Sequence, residues 1–347
     1  MLAIFHKDSR TILRRITTAF FLLWLMGYAL FFQTAHADKA FSEQQEVKTF
    51  INDMVGKYHF DKQKLTILFN NVELHPQVIQ SLSKPLEIKP WSTYQLLFVS
   101  EWRIEHGVKF WKKHEVALKA AEKKFGVPAS IIVATIGVET RYGQKTGGYR
   151  VIDSLSNIAF SDSPRAGFFR KELEEFLLLT REQQFDPLKV MGSYAGAIGQ
   201  PQFMPSSYRH YAIDFSGTGK ADLMNDEVDV IGSVANYYKE HGWKTNGPVA
   251  VQALLVGNRY RNLKDKDKIK EPIKITNLHK YGIAPKTKVA NKHDEVKIIE
   301  LPSLTSSEYW LGYRNFDVIK RYNSSNLYAM AVYQLSQYIT ALKERTE

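Results

Sequence analysis

The 347-residue chain contains no cysteine. This absence excludes thiol nucleophiles, thiolate zinc and iron–sulfur sites, disulfide bonds and lipidation of an N-terminal cysteine. Acidic residues are outnumbered, with 36 Asp and Glu against 47 Lys and Arg, so the formal net charge is +11. A basic protein favours acidic partners: nucleic acid, anionic lipid or an acidic wall polymer. Charge alone does not choose among these three classes.

The first 37 residues have the features of an export signal. A basic start precedes an apolar run from Ile16 to Phe32, which is followed by Ala35-His36-Ala37. These are the three parts of a secretory signal peptide, with cleavage expected after Ala37. The run is at the lower length limit for a membrane span, so an uncleaved anchor is the alternative. Export excludes nucleic acid as a partner and favours an extracytoplasmic acidic polymer.

The hydrophobic pattern predicts a mainly α (α+β) protein. Apolar residues at spacings of three and four predict helices through residues 38–128, an N-terminal helical region, and through a core at 129–245. Short β-like runs at 249–256, 273–276 and 296–301 predict a small β-rich insert at 246–307. A C-terminal segment, 308–347, ends in a helix from about Tyr328 to Leu342.

Glu139 is the first candidate for catalysis. It ends a predicted helix, beginning at Ala129, that is apolar nearly all round and therefore expected to be buried. Apolar surroundings and the negative end of a helix both raise the pKa of a carboxyl group, as a general acid requires. The alternative is a helix-end carboxylate that pairs with Arg141 or with backbone donors and has no catalytic role.

The segment from Gly192 to Tyr208 is the second candidate site. Its glycines and alanines permit close approach of a ligand to the backbone, and Ser193 and Gln202 supply hydrogen bonds. Tight helix packing through small residues is the alternative explanation of the glycines.

Residues 214–222 are similar to an EF-hand calcium loop. Asp214, Ser216 and Thr218 occupy ligand positions 1, 3 and 5, Gly219 the glycine position, and Lys220 the position that offers a backbone carbonyl. The common loop has Asp or Asn at positions 3 and 5, and hydroxyls there weaken a site for a hard cation. A glycine-rich polar turn without metal is the alternative.

Four segments in order resemble the membrane-bound lytic murein transglycosylase B family. They are Ile136–Gly143, Gly192–Tyr208, Gly232–Tyr237 and Arg321–Val332. The resemblance covers most of residues 85–340. It implies a helical core like that of goose-type lysozyme, with a flanking helical region and the small late β insert.

The resemblance implies a periplasmic enzyme that cleaves the β-1,4 bond between N-acetylmuramic acid and N-acetylglucosamine without water. The product is a 1,6-anhydro-muramyl end, and Glu139 acts as acid and then as base, with no cofactor for catalysis. The implied substrate-binding residues are Tyr94, Ser193, Gln202, Tyr237, Tyr322, Asn323 and Tyr328. The resemblance also implies that Asp229 closes the metal loop, which would hold a structural Ca²⁺ or Na⁺.

The expected partners are peptidoglycan glycan strands and proteins of cell-wall synthesis or remodelling. The inner membrane is a partner only if the signal segment stays uncleaved. Two other functions fit the same fold: a hydrolytic muramidase, in which water replaces the sugar 6-hydroxyl, and a catalytically silent peptidoglycan-binding scaffold.

Overall fold

The computed structural model describes residues 40–82, 89–260, 272–289 and 291–347. The predicted signal peptide or anchor, residues 1–37, lies outside this part of the chain. Within the described ranges, no helix combines the length and the apolar character that crossing a membrane requires. The chain divides into two compact units after Asn71.

The first unit is a small helical hairpin. A 3₁₀ helix, Phe41–Glu43, leads into α1 (Gln45–Tyr58), and α2 (Lys62–Asn70) follows. Apolar residues of α1 at spacings of three and four are buried, as are two residues of α2: Val47, Phe50, Ile51, Met54, Leu65 and Phe69. The side chain of Asp61 caps α2 by accepting a hydrogen bond from the Lys64 N–H.

The second unit is a helical bundle with a sheet inserted late in the chain. Its helices are α3 (Pro76–Leu82), α4 (Trp91–Phe98), α5 (Glu101–Lys113), α6 (Glu115–Phe125), α7 (Ala129–Thr140), α8 (Val151–Ala159), α9 (Ala166–Gln183), α10 (Pro205–Tyr211), α11 (Glu227–Glu240), α12 (Arg314–Tyr322) and α13 (Asn326–Arg345). Helix α7 is the centre of the bundle, because α5, α6, α11 and α13 all pack against it. Its Ile, Val and Ala side chains are buried on every face, as the sequence predicts.

Two antiparallel sheets complete this unit. Strand β1 (Tyr149–Arg150) pairs with β2 (Met191–Gly192), which places residue 149 opposite residue 192. The larger sheet has the order β4-β6-β7-β3-β5, formed by β3 (Ala250–Leu255), β4 (Ile273–Lys274), β5 (Ile283–Pro285), β6 (Glu295–Pro302) and β7 (Ser307–Gly312). Its core contains Ile273, Leu278, Ile283, Val296 and Leu311.

The mainly α fold class with a late β insert is confirmed by these elements. The structure differs from the sequence prediction locally, because the run at 273–276 becomes a strand of two residues followed by a 3₁₀ helix, Ile275–Tyr281. The sheet also continues to Gly312, five residues beyond the predicted end of the insert at 307. The domain boundaries at 128, 245 and 307 stay predictions.

Candidate active site

Glu139 is presented at the end of a buried helix. It lies in the last turn of α7 and is half-exposed, whereas every other residue of that helix is buried. Arg141 and Tyr142 follow with positive φ angles of 54° and 59°. This left-handed backbone turns the chain away directly after the helix, so the carboxyl group is left accessible.

Tyr328 holds the Glu139 carboxyl group in place. Its hydroxyl donates a hydrogen bond of 2.5 Å to Glu139 Oε1. The tyrosine lies in the first turn of α13, where the Ser325 side chain caps the helix by accepting from the Leu327 and Tyr328 N–H groups. Because α13 packs against α7, the contact joins two rigid helices. Tyr328, a predicted substrate-binding residue, is therefore in direct contact with Glu139, the predicted acid.

Four tyrosines, which we call the tyrosine cluster, surround Glu139: Tyr237, Tyr238, Tyr322 and Tyr328. The ring centroid of Tyr322 lies 4.8 Å from that of Tyr237, 5.6 Å from that of Tyr238 and 6.3 Å from that of Tyr328. Burial raises the pKa of all four hydroxyls, and the Glu139 carboxylate raises each of them further. The cluster consequently surrounds one carboxyl group with neutral hydroxyls, of which Tyr328 donates to it.

Backbone carbonyls fix the orientation of two cluster members. The Tyr237 hydroxyl donates to the Arg321 carbonyl at 2.6 Å, and the Tyr322 hydroxyl donates to the Pro201 carbonyl at 2.6 Å. These bonds join α11, the end of α12 and the segment around Pro201. The predicted residues Tyr237, Tyr322 and Tyr328 thus share one site with Glu139.

We expect the folded protein to lose stability as the pH rises above about 10, the pKa of tyrosine in an unfolded chain. The cluster hydroxyls have a raised pKa in the folded state, so unfolding releases their protons. Their stabilising contribution is complete below about pH 10 and is lost as the pH rises toward the folded-state values. Tyrosinate absorbance and near-ultraviolet circular dichroism, followed in one alkaline titration, check this. Ionisation of every tyrosine with the native dichroism intact would contradict it.

The side chains of Ser193 and Gln202 both form hydrogen bonds with nearby backbone groups. Ser193 Oγ accepts from the Ala197 N–H at 3.0 Å, and its backbone N–H donates to the Ala197 carbonyl at 2.9 Å. Gln202 has a φ angle of 51°, and its amide Nε2 donates to the carbonyls of Thr146 and Gly199 at 3.0 and 2.8 Å. The structure shows how both side chains are ordered.

Tyr94 and Asn323 occupy supporting positions. Tyr94 is buried in α4, with its ring 4.5 Å from that of Phe98. Asn323 ends α12, and its Oδ1 accepts from the Ser325 N–H at 3.1 Å, which orders the junction leading to Tyr328.

Three residues of the site were not among the sequence predictions. Tyr238 belongs to the tyrosine cluster and shares a hydrogen bond of 2.8 Å with the Thr135 hydroxyl. The Tyr142 hydroxyl donates to the Arg103 carbonyl at 2.6 Å, while Arg103 Nε donates to the Gly137 carbonyl at 3.0 Å. Tyr142 lies within the motif around Glu139, which was the available signal. Nothing in the local sequence marks Arg103.

Arg141, the alternative partner of Glu139, stacks on an indole. Its guanidinium carbon lies 4.1 Å from the centroid of the Trp102 ring, a cation–π contact. The Trp102 ring in turn stacks on His106 at 3.7 Å. This stack fixes the position of the Arg141 guanidinium.

The predicted metal loop brings four oxygen donors together. Asp214 Oδ1 lies 3.5 Å from Ser216 Oγ, Ser216 Oγ 3.4 Å from Thr218 Oγ1, and Thr218 Oγ1 3.4 Å from the Lys220 carbonyl oxygen. A set made only of oxygen atoms suits a hard cation such as Ca²⁺. Backbone N–H groups of Gly219, Thr218 and Gly217, and the Ser216 hydroxyl, lower the pKa of Asp214, which keeps it ionised.

The Asp229 carboxylate contacts the backbone of this loop. Its two carboxylate oxygens accept hydrogen bonds from the N–H groups of Phe215, Ser216 and Asp222 at 2.8 to 2.9 Å. The side chain is fully buried in the first turn of α11. In this arrangement Asp229 shapes the loop, and the four other residues provide the exposed oxygens.

One further group could share a metal ion in the part of the chain that the structure describes: Glu73, His75 and Asp153. Arg150 already occupies the Asp153 carboxylate, since its Nε donates to Oδ2 at 2.6 Å and its Nη2 to Oδ1 at 3.0 Å. A guanidinium bound in this bidentate manner opposes a cation at the same oxygens. We therefore interpret this group as an ion-pair network.

Comparison with known proteins identifies the family. The family model described as "Transglycosylase SLT domain" matches residues 42–337. The chain belongs to this family. It is 40% identical over 309 residues to the membrane-bound lytic murein transglycosylase B of Escherichia coli, covering 86% of this chain and 84% of that protein. The resemblance inferred from the motifs is confirmed.

Solved structures of lytic transglycosylases have the same fold. The soluble lytic transglycosylase SltB1 from Pseudomonas aeruginosa is 44% identical, with a TM-score of 0.79 over 86% of this chain and 99% of its own. The Escherichia coli Slt35 in complex with calcium is 39% identical, with a TM-score of 0.78 over 87% and 95% of the two chains. The lysozyme-like fold class is confirmed.

A structure that carries a wall fragment is also similar. SltB3 from Pseudomonas aeruginosa, in complex with NAG-NAM-pentapeptide, is 27% identical with a TM-score of 0.74, over 84% of this chain and 78% of that chain.

Proposed function

We propose that the protein is a peptidoglycan lytic transglycosylase in which Glu139 acts as acid and then as base. The observation that carries the proposal is one accessible carboxyl group at the end of a buried helix, bonded by Tyr328 and surrounded by tyrosines. Membership of the transglycosylase family supports the reaction class.

The first step breaks the β-1,4 bond between N-acetylmuramic acid and N-acetylglucosamine. Protonated Glu139 gives its proton to the glycosidic oxygen, which leaves as the N-acetylglucosamine 4-hydroxyl. The muramic acid 2-acetamido oxygen stabilises the positive anomeric carbon, as in other glycosidases that use substrate assistance. The Tyr328 hydroxyl stabilises the Glu139 carboxylate that this step produces.

The second step closes the anhydro ring. The Glu139 carboxylate takes the proton of the muramic acid 6-hydroxyl, and that oxygen bonds to the anomeric carbon and displaces the acetamido oxygen. Attack within one molecule has a high effective molarity, so the 6-hydroxyl outcompetes water. The carboxyl group ends protonated and ready for the next cycle, and no cofactor takes part.

The proposal assigns contacts with the glycan to the other predicted residues. The half-buried Tyr322 offers a ring face to sugar C–H groups, the buried Tyr94 and Tyr237 support the wall of the sugar site from behind, and Ser193, Gln202 and Asn323 offer hydrogen bonds. Tyr328 contacts Glu139 itself, so it orients the acid as well as lining the sugar site.

The location and partners follow from the same proposal. The protein acts in the periplasm, where its positive charge attracts acidic peptidoglycan; the formal net charge is +11 for the whole chain and +8 without residues 1–37. Its substrate is the glycan strand, and proteins of wall synthesis or remodelling are its proposed protein partners. The inner membrane becomes a partner if residues 1–37 stay attached.

Mass spectrometry of the soluble muropeptides released from purified peptidoglycan tests the proposal. We expect products one water lighter than hydrolysis products. Reducing-end products would instead indicate a muramidase that admits water. Binding of peptidoglycan without release of any product would favour the scaffold.

We further propose that Asp214, Ser216, Thr218 and the Lys220 carbonyl hold a structural calcium ion, around which Asp229 shapes the loop. The all-oxygen arrangement supports this, and Slt35 is a relative whose structure contains calcium. The ion would neutralise the loop carboxylate and brace the start of α11, which carries Tyr237.

Calcium is expected to raise the midpoint of thermal unfolding of the chelator-treated protein by about 5 °C. Replacing Asp214 by asparagine should abolish the shift, because the site then loses its charged ligand. Differential scanning calorimetry with and without calcium measures it. Asp162→Asn, at an exposed residue outside the loop, is the matched control. An equal calcium shift in Asp214→Asn would contradict the assignment.

A further inference from the structure

A cavity of ≈ 470 Å³ opens at the start of α13, the helix that carries Tyr328. Four segments line it: the residues before α4, the end of β6, α12, and the junction of α12 and α13. The junction of α12 and α13 is adjacent in sequence to two predicted substrate residues. Ser324 follows Asn323 directly, and Leu327 precedes Tyr328. The cavity therefore lies within one helical turn, 5.4 Å along α13, of the tyrosine that binds Glu139.

The lining carries positive charge that has no partner in the described residues. Lys89 is exposed and Lys320 is half-buried, and neither lysine forms an ion pair or a side-chain hydrogen bond within the described part of the chain. Partial burial of an unpaired ammonium group costs free energy. Of the two lysines only Lys320 is partly buried, and an anionic ligand in the cavity would offset this cost.

The remaining polar groups fit a peptide. Ser303 and Asn326 offer hydroxyl and amide groups at the cavity wall. Glu300 also lines it, and its Oε1 accepts hydrogen bonds from the Ser307 and Tyr309 hydroxyls at 2.7 and 3.1 Å. The carboxylate is thereby oriented, and it is available to a ligand amine. The wall combines cationic, anionic and neutral polar groups.

We propose that this cavity binds the stem peptide of the substrate, with Lys89 and Lys320 recognising its free carboxylates. The inference rests on the proposed function, since it assumes a peptidoglycan substrate. The glycan backbone offers no free carboxylate where the peptide is attached, whereas a stem peptide offers both carboxylates and amide groups. The volume is within the range of clefts that bind small ligands.

Binding to a catalytically inactive protein tests the inference. The full-length chain with Glu139→Gln is titrated calorimetrically with a soluble disaccharide pentapeptide, and with the same compound after its carboxylates are converted to amides. We expect the charged ligand to bind about tenfold more tightly, because two charge-assisted contacts are lost on amidation. Lys89→Ala/Lys320→Ala in the same background should reduce this preference to roughly one- to twofold.

The control variants separate charge recognition from a general loss of binding. Lys239→Ala, at an exposed lysine of α11 outside the cavity, should keep the tenfold preference. Lys320→Arg, which retains the positive charge, should largely keep it as well. If the double variant is unfolded by circular dichroism, Lys89→Ala alone, at the exposed position, should lower the preference about threefold.

Equal binding of the two ligands by the parent protein would overturn the inference, and so would an unchanged preference in the double variant. Failure of the proposed function is seen separately, as the absence of anhydro products from the wild-type protein. The calorimetric preference is readable in either case, because it is measured without turnover.

Discussion

Replacing Glu139 by glutamine should lower the rate of anhydro-muropeptide release by about 10³-fold. Glutamine has the same shape as glutamate, and its Oε1 can still accept the hydrogen bond from the Tyr328 hydroxyl. It cannot donate the proton to the leaving oxygen or take the proton of the 6-hydroxyl. In the proposed mechanism a single carboxyl group performs both proton transfers, so both steps should fail together.

The measurement is the initial rate of soluble product release from purified peptidoglycan, with products identified by mass. Glu122→Gln, at an exposed position on α6, is the matched control and should retain the wild-type rate. Both variants should unfold at the wild-type temperature, because neither removes a buried contact of the core. A Glu139→Gln protein with normal product release would show that the acid lies elsewhere.

The helix that carries Glu139 could be predicted because its signal is local. The run from residue 129 to 138 is apolar on nearly every face, which is typical of a buried helix. The one charged residue of the helix, Glu139, is also the one that the structure leaves partly accessible. A polar residue that ends an apolar helix is thus both visible in the sequence and chemically informative.

The surroundings of Glu139 could be predicted only in part, because they depend on contacts between distant residues. Tyr328 lies 189 positions from Glu139 in the chain, and residue patterns within α13 do not indicate which partner its hydroxyl meets. Family motifs supplied Tyr237, Tyr322 and Tyr328. Tyr238 was missed, because by its sequence alone it is a buried aromatic residue next to another tyrosine.

Short strands were the least predictable part of the fold. Strand β5 has three residues, and β7 carries Tyr309, Trp310 and Leu311 in succession, without the alternation of polar and apolar residues that marks a half-buried strand. Their pairing in the sheet, β7 between β6 and β3, fixes them as strands. Tertiary pairing therefore decides structure here, and local propensity does not.

Replacing Gly147 by alanine should destabilise the second unit by about 3 kcal/mol. Gly147 has a φ angle of 108°, which residues with a side chain rarely adopt. A Cβ atom there would lie 1.9 Å from the Gly192 carbonyl oxygen and 2.5 Å from the Ser193 nitrogen. Both contacts are with backbone, which cannot rotate away, so the β1–β2 pair and the Ser193 turn must move.

The neighbouring Gly148 is a matched control for this substitution. A Cβ atom at Gly148 meets nothing within 4 Å, and its φ angle is not positive. Gly148→Ala should therefore unfold at the wild-type urea concentration, whereas Gly147→Ala should show a lower midpoint with an unchanged m-value. Because the Gln202 amide donates to the Thr146 carbonyl, Gly147→Ala should also slow product release at a temperature where the variant is folded. A substitution that lowered stability without moving the candidate active site would leave the rate at that temperature unchanged. Equal midpoints for the two alanine variants would mean that the Gly192–Ser193 turn yields freely, and that its tight approach to residue 147 does not hold the active site together.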